Sequence, residues 1–241
     1  MFTFPLLQNQ PLRHGVSAAA EGNIDLRFSS ADQVASSLKS ISSALNLDPR
    51  SIVQAEQIHA TNVALVDSSH RGQVIQGADA LVTKDPSVVL MLRIADCPPV
   101  ILYDPTNHAL GLVHSGWRGI IGKIGLTALE QMMLHFHTNP GNLLVAIGPC
   151  LSTLTLDHSP LQQDLPEWHA FITRKNNSYT INLLDFVTHT FQAAGVPAAN
   201  IENSGINTQT SPAYFSYIRS QLNNEPDGRF AALAKLNPQN G

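Results

Sequence analysis

Three side chains far apart in the chain are of types that could share one ion. They are His59 in Gln57-Ile58-His59, Cys97 in Ala95-Asp96-Cys97-Pro98-Pro99, and His114 at the start of Ser115-Gly116-Trp117-Arg118-Gly119. Two imidazoles and a thiolate form a donor set suited to a borderline-soft ion such as Zn²⁺, with a fourth position left for water. The separations, 38 and 17 residues, are not a short-range metal signature. Spacing alone therefore leaves an ordinary reading open, in which Cys97 is a buried core thiol and both histidines sit satisfied in loops. Position argues for more: each residue stands at the end of an extended run, where a rigid scaffold can hold a polar group and still expose it to a ligand.

The elements that must hold these residues can be read from pattern. Ser30 and Gln33 form a capping box, and Val34, Leu38, Ile41 and Leu45 follow at helical spacing, which predicts a helix from about 31 to 45. Extended segments are expected at 51–58, 62–66 and 80–83. The apolar, β-branched run from Val88 to Ile94 predicts a strand buried on both faces. Val100–Tyr103 and Ala109–His114 flank the turn residues Asp104, Pro105, Thr106 and Asn107, a β-hairpin pattern. One Gly-punctuated helix is predicted over 119–136, with Ile120, Ile124, Thr127, Ala128 and Met132 on one face. A strand at Leu143–Ile147, a helix at 183–194 stopped by Gly195, and a terminal strand at Phe230–Leu236 complete the reading. The pattern is weak over 151–180. Buried strands mixed with hairpins and few helices imply an α+β fold.

Composition narrows the class. The chain has 241 residues, 43% of them apolar, enough for a core that needs no disulfide or metal to fold. Charged residues are only 13%, against about 25% in an average domain, which excludes a disordered polyelectrolyte. The net charge of −4 and the lack of any Lys/Arg cluster argue against nucleic acid as partner. No apolar run approaches the ~20 residues of a membrane span. The two cysteines, Cys97 and Cys150, cannot form a disulfide framework, and Met1 to Leu12 lacks the pattern of a signal peptide. These features imply a cytoplasmic protein with reduced thiols.

Five motifs occur in order: Gln57-Ile58-His59, Gly77-Ala78-Asp79-Ala80-Leu81-Val82-Thr83, Ala95-Asp96-Cys97-Pro98-Pro99-Val100, Val113-His114-Ser115-Gly116-Trp117-Arg118-Gly119 and Ala146-Ile147-Gly148-Pro149-Cys150. With Phe215-Ser216-Tyr217 and Gly228-Arg229 near the C-terminus, the chain resembles the laccase-domain family, whose members are described as multicopper polyphenol oxidase-like or as purine nucleoside phosphorylases. The likeness runs from about His14 to Leu236. It implies one domain over 1–241, with mixed β-sheets sandwiched between helices. It also implies a transition-metal site with His59, Cys97 and His114 as ligands, zinc as the expected ion and copper as the alternative. The family is credited with phosphorolysis of adenosine, inosine and methylthioadenosine, and with adenosine deamination. Other members are credited with phenol oxidation or with amide hydrolysis that edits peptidoglycan precursors.

Chemistry ranks these activities. A three-ligand zinc ion can bring the pKa of water to about 7, which suits deamination at the purine C6. Phosphorolysis needs an anion site as well, and Arg118 between Gly116 and Gly119 is the candidate for phosphate; its ordinary alternative is a structural arginine bonding loop carbonyls. A trinuclear copper cluster needs paired histidine arrays, and the single His-x-His here is His135-Phe136-His137 in a predicted helix. A leading expectation follows: a zinc enzyme of purine nucleosides in which Cys97, His114 and Arg118 take part in catalysis. The rivals are an amidase with Cys97 as nucleophile and a non-catalytic, metal-stabilised binding protein.

Departures from the family pattern motivate that last rival. They fall at Ala18-Ala19 where an arginine is usual, at Leu156-Asp157-His158, at Ile181-Asn182-Leu183, at Gln209-Thr210, and at Ile218 before Arg219. Three other residues have two readings each, and a fourth has one. Asp96 either orients a ligand histidine or caps a turn. Cys150 either neighbours the site or is packing. Trp117 is a core anchor or a stacking surface, and Asp79 is expected to satisfy backbone donors. His135, His137, His158, His169 and His189 are expected to be solvated.

Overall fold

The computed structural model describes residues 1–157, 159 and 168–238. The chain begins with β1 (Leu12–Val16) and α1 (Ala31–Ala44), then β2 (Ile52–Ala55), β3 (Val63–Leu65), β4 (Val74–Ile75), β5 (Ala80–Thr83) and β6 (Val89–Ile94). The hairpin β7 (Pro99–Asp104) and β8 (Ala109–His114) leads into α2 (Trp117–Ile121), α3 (Ile124–Phe136) and β9 (Leu144–Ile147). Next come β10 (Thr153–Leu156), β11 (Ile172–Lys175), β12 (Ser178–Asn182) and α4 (Leu183–Ala193). The chain closes with β13 (Ile201–Asn203), α5 (Tyr217–Asn223) and β14 (Phe230–Leu236).

Two large mixed sheets carry the fold, ordered β1-β14-β6-β2-β4 and β13-β9-β7-β8-β5-β3. Parallel pairs (β2 with β6 and β4, β3 with β5, β13 with β9) sit among antiparallel ones. Strand alternation explains the layering, because successive side chains point to opposite faces. Leu90, Leu92 and Ile94 of β6 join Ile101 and Tyr103 of β7 between the sheets, while Val89 and Met91 face Ile41 of α1. Val100 and Leu102 face outward against Ile124, Ala128 and Met132 of α3 and Phe191 of α4. The sheets are thus pressed together and sandwiched between α1 on one side and α3 and α4 on the other, as the α+β reading anticipates.

Three expectations are corrected. The predicted helix over 119–136 is two helices, broken where Lys123 turns left-handed at φ 60°. The cause is close packing: a Cβ at Gly122 would stand 2.5 Å from Thr61 Cγ2, so this turn is pinned against the loop that follows His59. The weakly patterned stretch contains a third sheet, β10-β12-β11. Finally, β1, β4, β13 and α5 have no counterpart in the sequence reading. The hairpin and the helix at 183–194 form as expected; Gly195 takes φ 94° just after α4.

Candidate metal centre

The three chemistry-bearing residues meet where the chain passes between the two large sheets. His59 lies on the crossing from β2 to β3, Cys97 on the crossing from β6 to β7, and His114 is the last residue of β8. Their donor atoms all lie within 4.8 Å of one another, the one such group of His, Cys, Asp or Glu among the described residues. The imidazole rings meet edge to face, 4.8 Å between centroids. His114 is buried, Cys97 half-buried and His59 exposed, so the cluster is anchored on one side and open on the other.

Asp79, fully buried just before β5, organises it. Its carboxylate accepts the backbone N–H groups of His59 (2.9 Å), Ala60 (2.8 Å) and Ile58 (3.3 Å), and lies 2.8 Å from His114 Nδ1. His59 adopts φ 62°, a left-handed conformation costing a non-glycine residue on the order of 1 kcal/mol, and the three N–H bonds offset that cost. The contact with Nδ1 fixes the His114 ring and leaves Nε2 available to an ion. Burial alone would raise the pKa of Asp79, but the His114 contact and the N–H donors hold it below the usual carboxylate range.

Gly116, the N-cap of α2, completes the enclosure. A Cβ there would stand 2.8 Å from His59 Cδ2, 3.2 Å from His114 Cε1 and 3.5 Å from Cys97 Sγ. Only bare backbone fits against the cluster. Burial opposes charge on both Cys97 and His114, yet each overcomes it through the other. The charge and hydrogen bond of His114, helped by His59, bring the Cys97 thiol down to about 6. Cys97 and Asp79 hold His114 up to about 9. Each group thus favours the charged form of the other, the thiolate on Cys97 and the imidazolium on His114. The residues present therefore fit a borderline-soft ion: one thiolate, two imidazoles, an orienting carboxylate and a wall with no side chain.

The carboxylate that contacts a histidine of the cluster is Asp79, not Asp96. Asp96, at φ 75°, turns away and accepts the Thr208 hydroxyl (2.6 Å) and the Ile218 N–H (2.8 Å), stapling the C-terminal segment to the Cys97 crossing. Arg118 is exposed on α2, two residues beyond Gly116, with its guanidinium 4.3 Å from the Trp117 ring centroid; among the described residues it makes no bond to a loop carbonyl. The structural arginine is instead Arg219, which donates to the carbonyls of Thr208, Ser211 and Tyr214. Trp117 is half-buried against the outer core. Cys150 is buried beside the site; burial and the negative charges of Cys97 and Asp96 push its thiol up to about 12.

Two of the departures prove structural. Asn182 caps α4 through the Asp185 N–H (3.1 Å), and Ile218 meets Asp96 through its backbone alone. Ala19 and Gln209 likewise engage through backbone N–H groups. His135, His137, His169 and His189 are exposed, and His158 lies outside the described residues. Sequence reasoning missed the double role of Asp79 and the steric role of Gly116. The signal was present in both motifs, an aspartate directly before a buried strand and a glycine at a helix start.

A family model described as multi-copper polyphenol oxidoreductase laccase matches residues 12–237. A purine nucleoside phosphorylase from Bacteroides thetaiotaomicron is 29% identical over 174 residues, which is 66% of this chain and 64% of that protein, just under two thirds of its length. Adenosine deaminase RL5, from an unknown prokaryote, is 28% identical over 204 residues, 74% of each chain. The crystal structure of YlmD from Geobacillus stearothermophilus superposes with a TM-score of 0.84 at 24% identity, covering 98% of this chain and 94% of that one, which establishes the shared fold. No described helix is long and apolar enough to cross a membrane. With the match spanning nearly all of its length, the chain belongs to the multi-copper polyphenol oxidoreductase laccase family.

Proposed function

We propose that this chain is a zinc-dependent enzyme of purine nucleosides, catalysing phosphorolysis of adenosine, inosine and methylthioadenosine and deamination of adenosine. The observation that carries the reading is the convergence of His59, Cys97 and His114 donor atoms within 4.8 Å, held by Asp79 and open on the His59 side. The names of the relatives, purine nucleoside phosphorylase and adenosine deaminase, supply the substrate class. When bound, zinc supplies Lewis acidity, which makes water acidic enough to react near neutral pH. Asp79 keeps the His114 ring in one orientation, so that Nε2 faces the cluster. Gly116 brings the α2 backbone against the donors and excludes water from that side. The exposed Arg118 guanidinium, braced on Trp117, is the group assigned to phosphate.

The test is direct. Zinc-loaded protein is incubated with each nucleoside in phosphate buffer, and bases, pentose phosphate and inosine are separated by chromatography. Products are expected, they should vanish on chelation, and Arg118→Ala should depress phosphorolysis more than deamination. Zinc-loaded protein that leaves all three nucleosides intact overturns the proposal. One contact favours a second reading: Cys97 lies in hydrogen-bonding reach of His114, an arrangement for a thiolate nucleophile in amide hydrolysis. That reading predicts activity that survives chelation and an acyl adduct trapped on Cys97.

A further inference from the structure

Beyond the last rung of the β7–β9 ladder, backbone hydrogen bonds still tie the two chains together. Val100 stands opposite Ile147, Pro99 O accepts from Gly148 N (2.9 Å), and Asp96 O accepts from Leu151 N (2.7 Å). Cys97 and Cys150 lie between these two hydrogen bonds, each next to a partner of the Asp96–Leu151 bond. The pair itself exchanges none: Cys150 N donates instead to Ile206 O. A disulfide requires Cα atoms about 4.4–6.8 Å apart, and two segments tied together on both sides of the pair are held in that range of approach. The sulfurs are also close enough for the charge on Cys97 to act on the Cys150 thiol. The accessibilities suit a two-step oxidation. Cys97 is half-buried at the open cluster and can meet an oxidant, while Cys150 is shielded and waits behind it.

We propose that Cys97 and Cys150 form a reversible disulfide on exposure to a peroxide, and that this bond dismantles the His59, Cys97, His114 donor set. The Cys97 sulfur attacks one peroxide oxygen, the O–O bond breaks, and the departing oxygen leaves as water or an alcohol. Cys97 is then a sulfenic acid. The Cys150 sulfur attacks the Cys97 sulfur, the S–O bond breaks, and the hydroxyl leaves as water with the Cys150 proton. Together the two thiols lose two electrons and two protons, and the peroxide is reduced. A disulfide sulfur is no longer a thiolate ligand, so the ion loses its one sulfur donor while both imidazoles stay in place. The loss of the ion rests on the metal reading above; the cross-link does not.

The experiment treats zinc-loaded full-length protein with hydrogen peroxide, blocks free thiols under denaturing conditions, and maps the peptides by mass spectrometry. A chromogenic chelator follows zinc in the same sample. The expected result is a peptide joining Cys97 to Cys150, lighter by two hydrogen atoms than the reduced pair. Zinc release should rise in step with it, and dithiothreitol should reverse the cross-link. Cys150→Ala should give no cross-link and should let Cys97 advance to a sulfinic acid that dithiothreitol does not restore. Wild-type protein in which Cys97 becomes sulfinic while Cys150 is fully alkylated overturns the proposal, as does zinc release that runs ahead of any cross-link. A chain that never takes up zinc sinks the metal reading alone, because the peptide map still decides whether the disulfide forms.

Discussion

Two buried histidines sit in different parts of this fold and behave in opposite ways. His14, on β1 of the first sheet, accepts the Phe4 N–H at Nε2 (2.8 Å) and stacks near the Phe4 ring, 5.8 Å between centroids. Burial holds its pKa down, to about 4, so it is neutral. His114, at the end of β8 in the second sheet, is as deeply buried, yet it is held up to about 9. The difference lies in the neighbours. A backbone donor needs a ring nitrogen with a free lone pair, whereas a carboxylate and a thiolate favour a ring carrying a proton. Burial makes a histidine sensitive to its partners; the partners decide the charge. One region uses its histidine as structure, while the other keeps a proton where an ion would bind.

The largest expected effect comes from that proton. Zinc must displace it from His114, and metal affinity therefore depends on pH. Between about 6, where Cys97 titrates, and about 9, where His114 does, the ion-free pair carries one proton that the loaded site cannot keep. This contribution should weaken zinc binding about tenfold for each pH unit lost, on the order of a thousandfold across the window. Below about 6 the Cys97 thiol adds a second proton and the slope should double. Competition titrations against a chromogenic chelator at several pH values measure it, and an affinity flat with pH contradicts the thiolate–imidazolium pair.

His14, whose pKa is shifted the other way, should show its pH dependence in stability instead of binding. The unfolded chain takes up a proton near pH 6.5 at this position, and the native chain only near 4. The unfolded state binds more protons throughout that window, so stability falls as pH drops through it, by about 3 kcal/mol in total. His14→Gln keeps an acceptor for the Phe4 N–H and does not titrate. Urea unfolding at pH 7 and pH 4.5 should show a smaller acid loss for this variant than for the parent. Equal losses would mean that His14 is protonated in the native state.

Why one region was legible in sequence and the other was not follows from the same physics. The convergence of the three donor residues could be anticipated because each sits in a dense motif near the end of a strand, as Cys97 follows Val89–Ile94. The layered α+β arrangement was legible because strands buried on both faces leave continuous apolar runs. Asp79 was legible only in half: a buried aspartate must find donors, but the sequence does not say that one donor would be the His114 ring, 35 positions away. Asp96 misled because adjacency to Cys97 suggested a shared task, while its left-handed backbone turns the carboxylate toward Thr208 and Ile218. The helix break at Lys123 was hidden for a related reason, since the crowding at Gly122 comes from Thr61. His14 gave no signal because its partner is a backbone N–H ten residues earlier. Local pattern reports what a residue needs, and long-range packing decides who supplies it.

The sharpest way to test the contrast is to remove the carboxylate that creates it. Asp79→Asn is nearly isosteric and keeps one oxygen, which can still accept from the His59 or Ala60 N–H. Its amide nitrogen cannot accept, so one of the present contacts to the carboxylate is lost. Removing an orienting partner of this kind typically weakens metal binding about 10–100-fold. The same change removes one of the two negative groups that hold the proton on His114, leaving burial less opposed, so the pKa of His114 should fall toward the behaviour of His14. Two independent readouts then move. Zinc affinity near pH 7 drops, while the upper end of the pH-dependent window shifts below 9, which ¹⁵N-resolved titration of the His114 ring reports in the ion-free protein. A variant that binds zinc more weakly but keeps the His114 titration in place would assign Asp79 to the backbone of residues 58–60 alone. The charge on His114 would then belong to Cys97, and the difference between the two histidines to a single thiol.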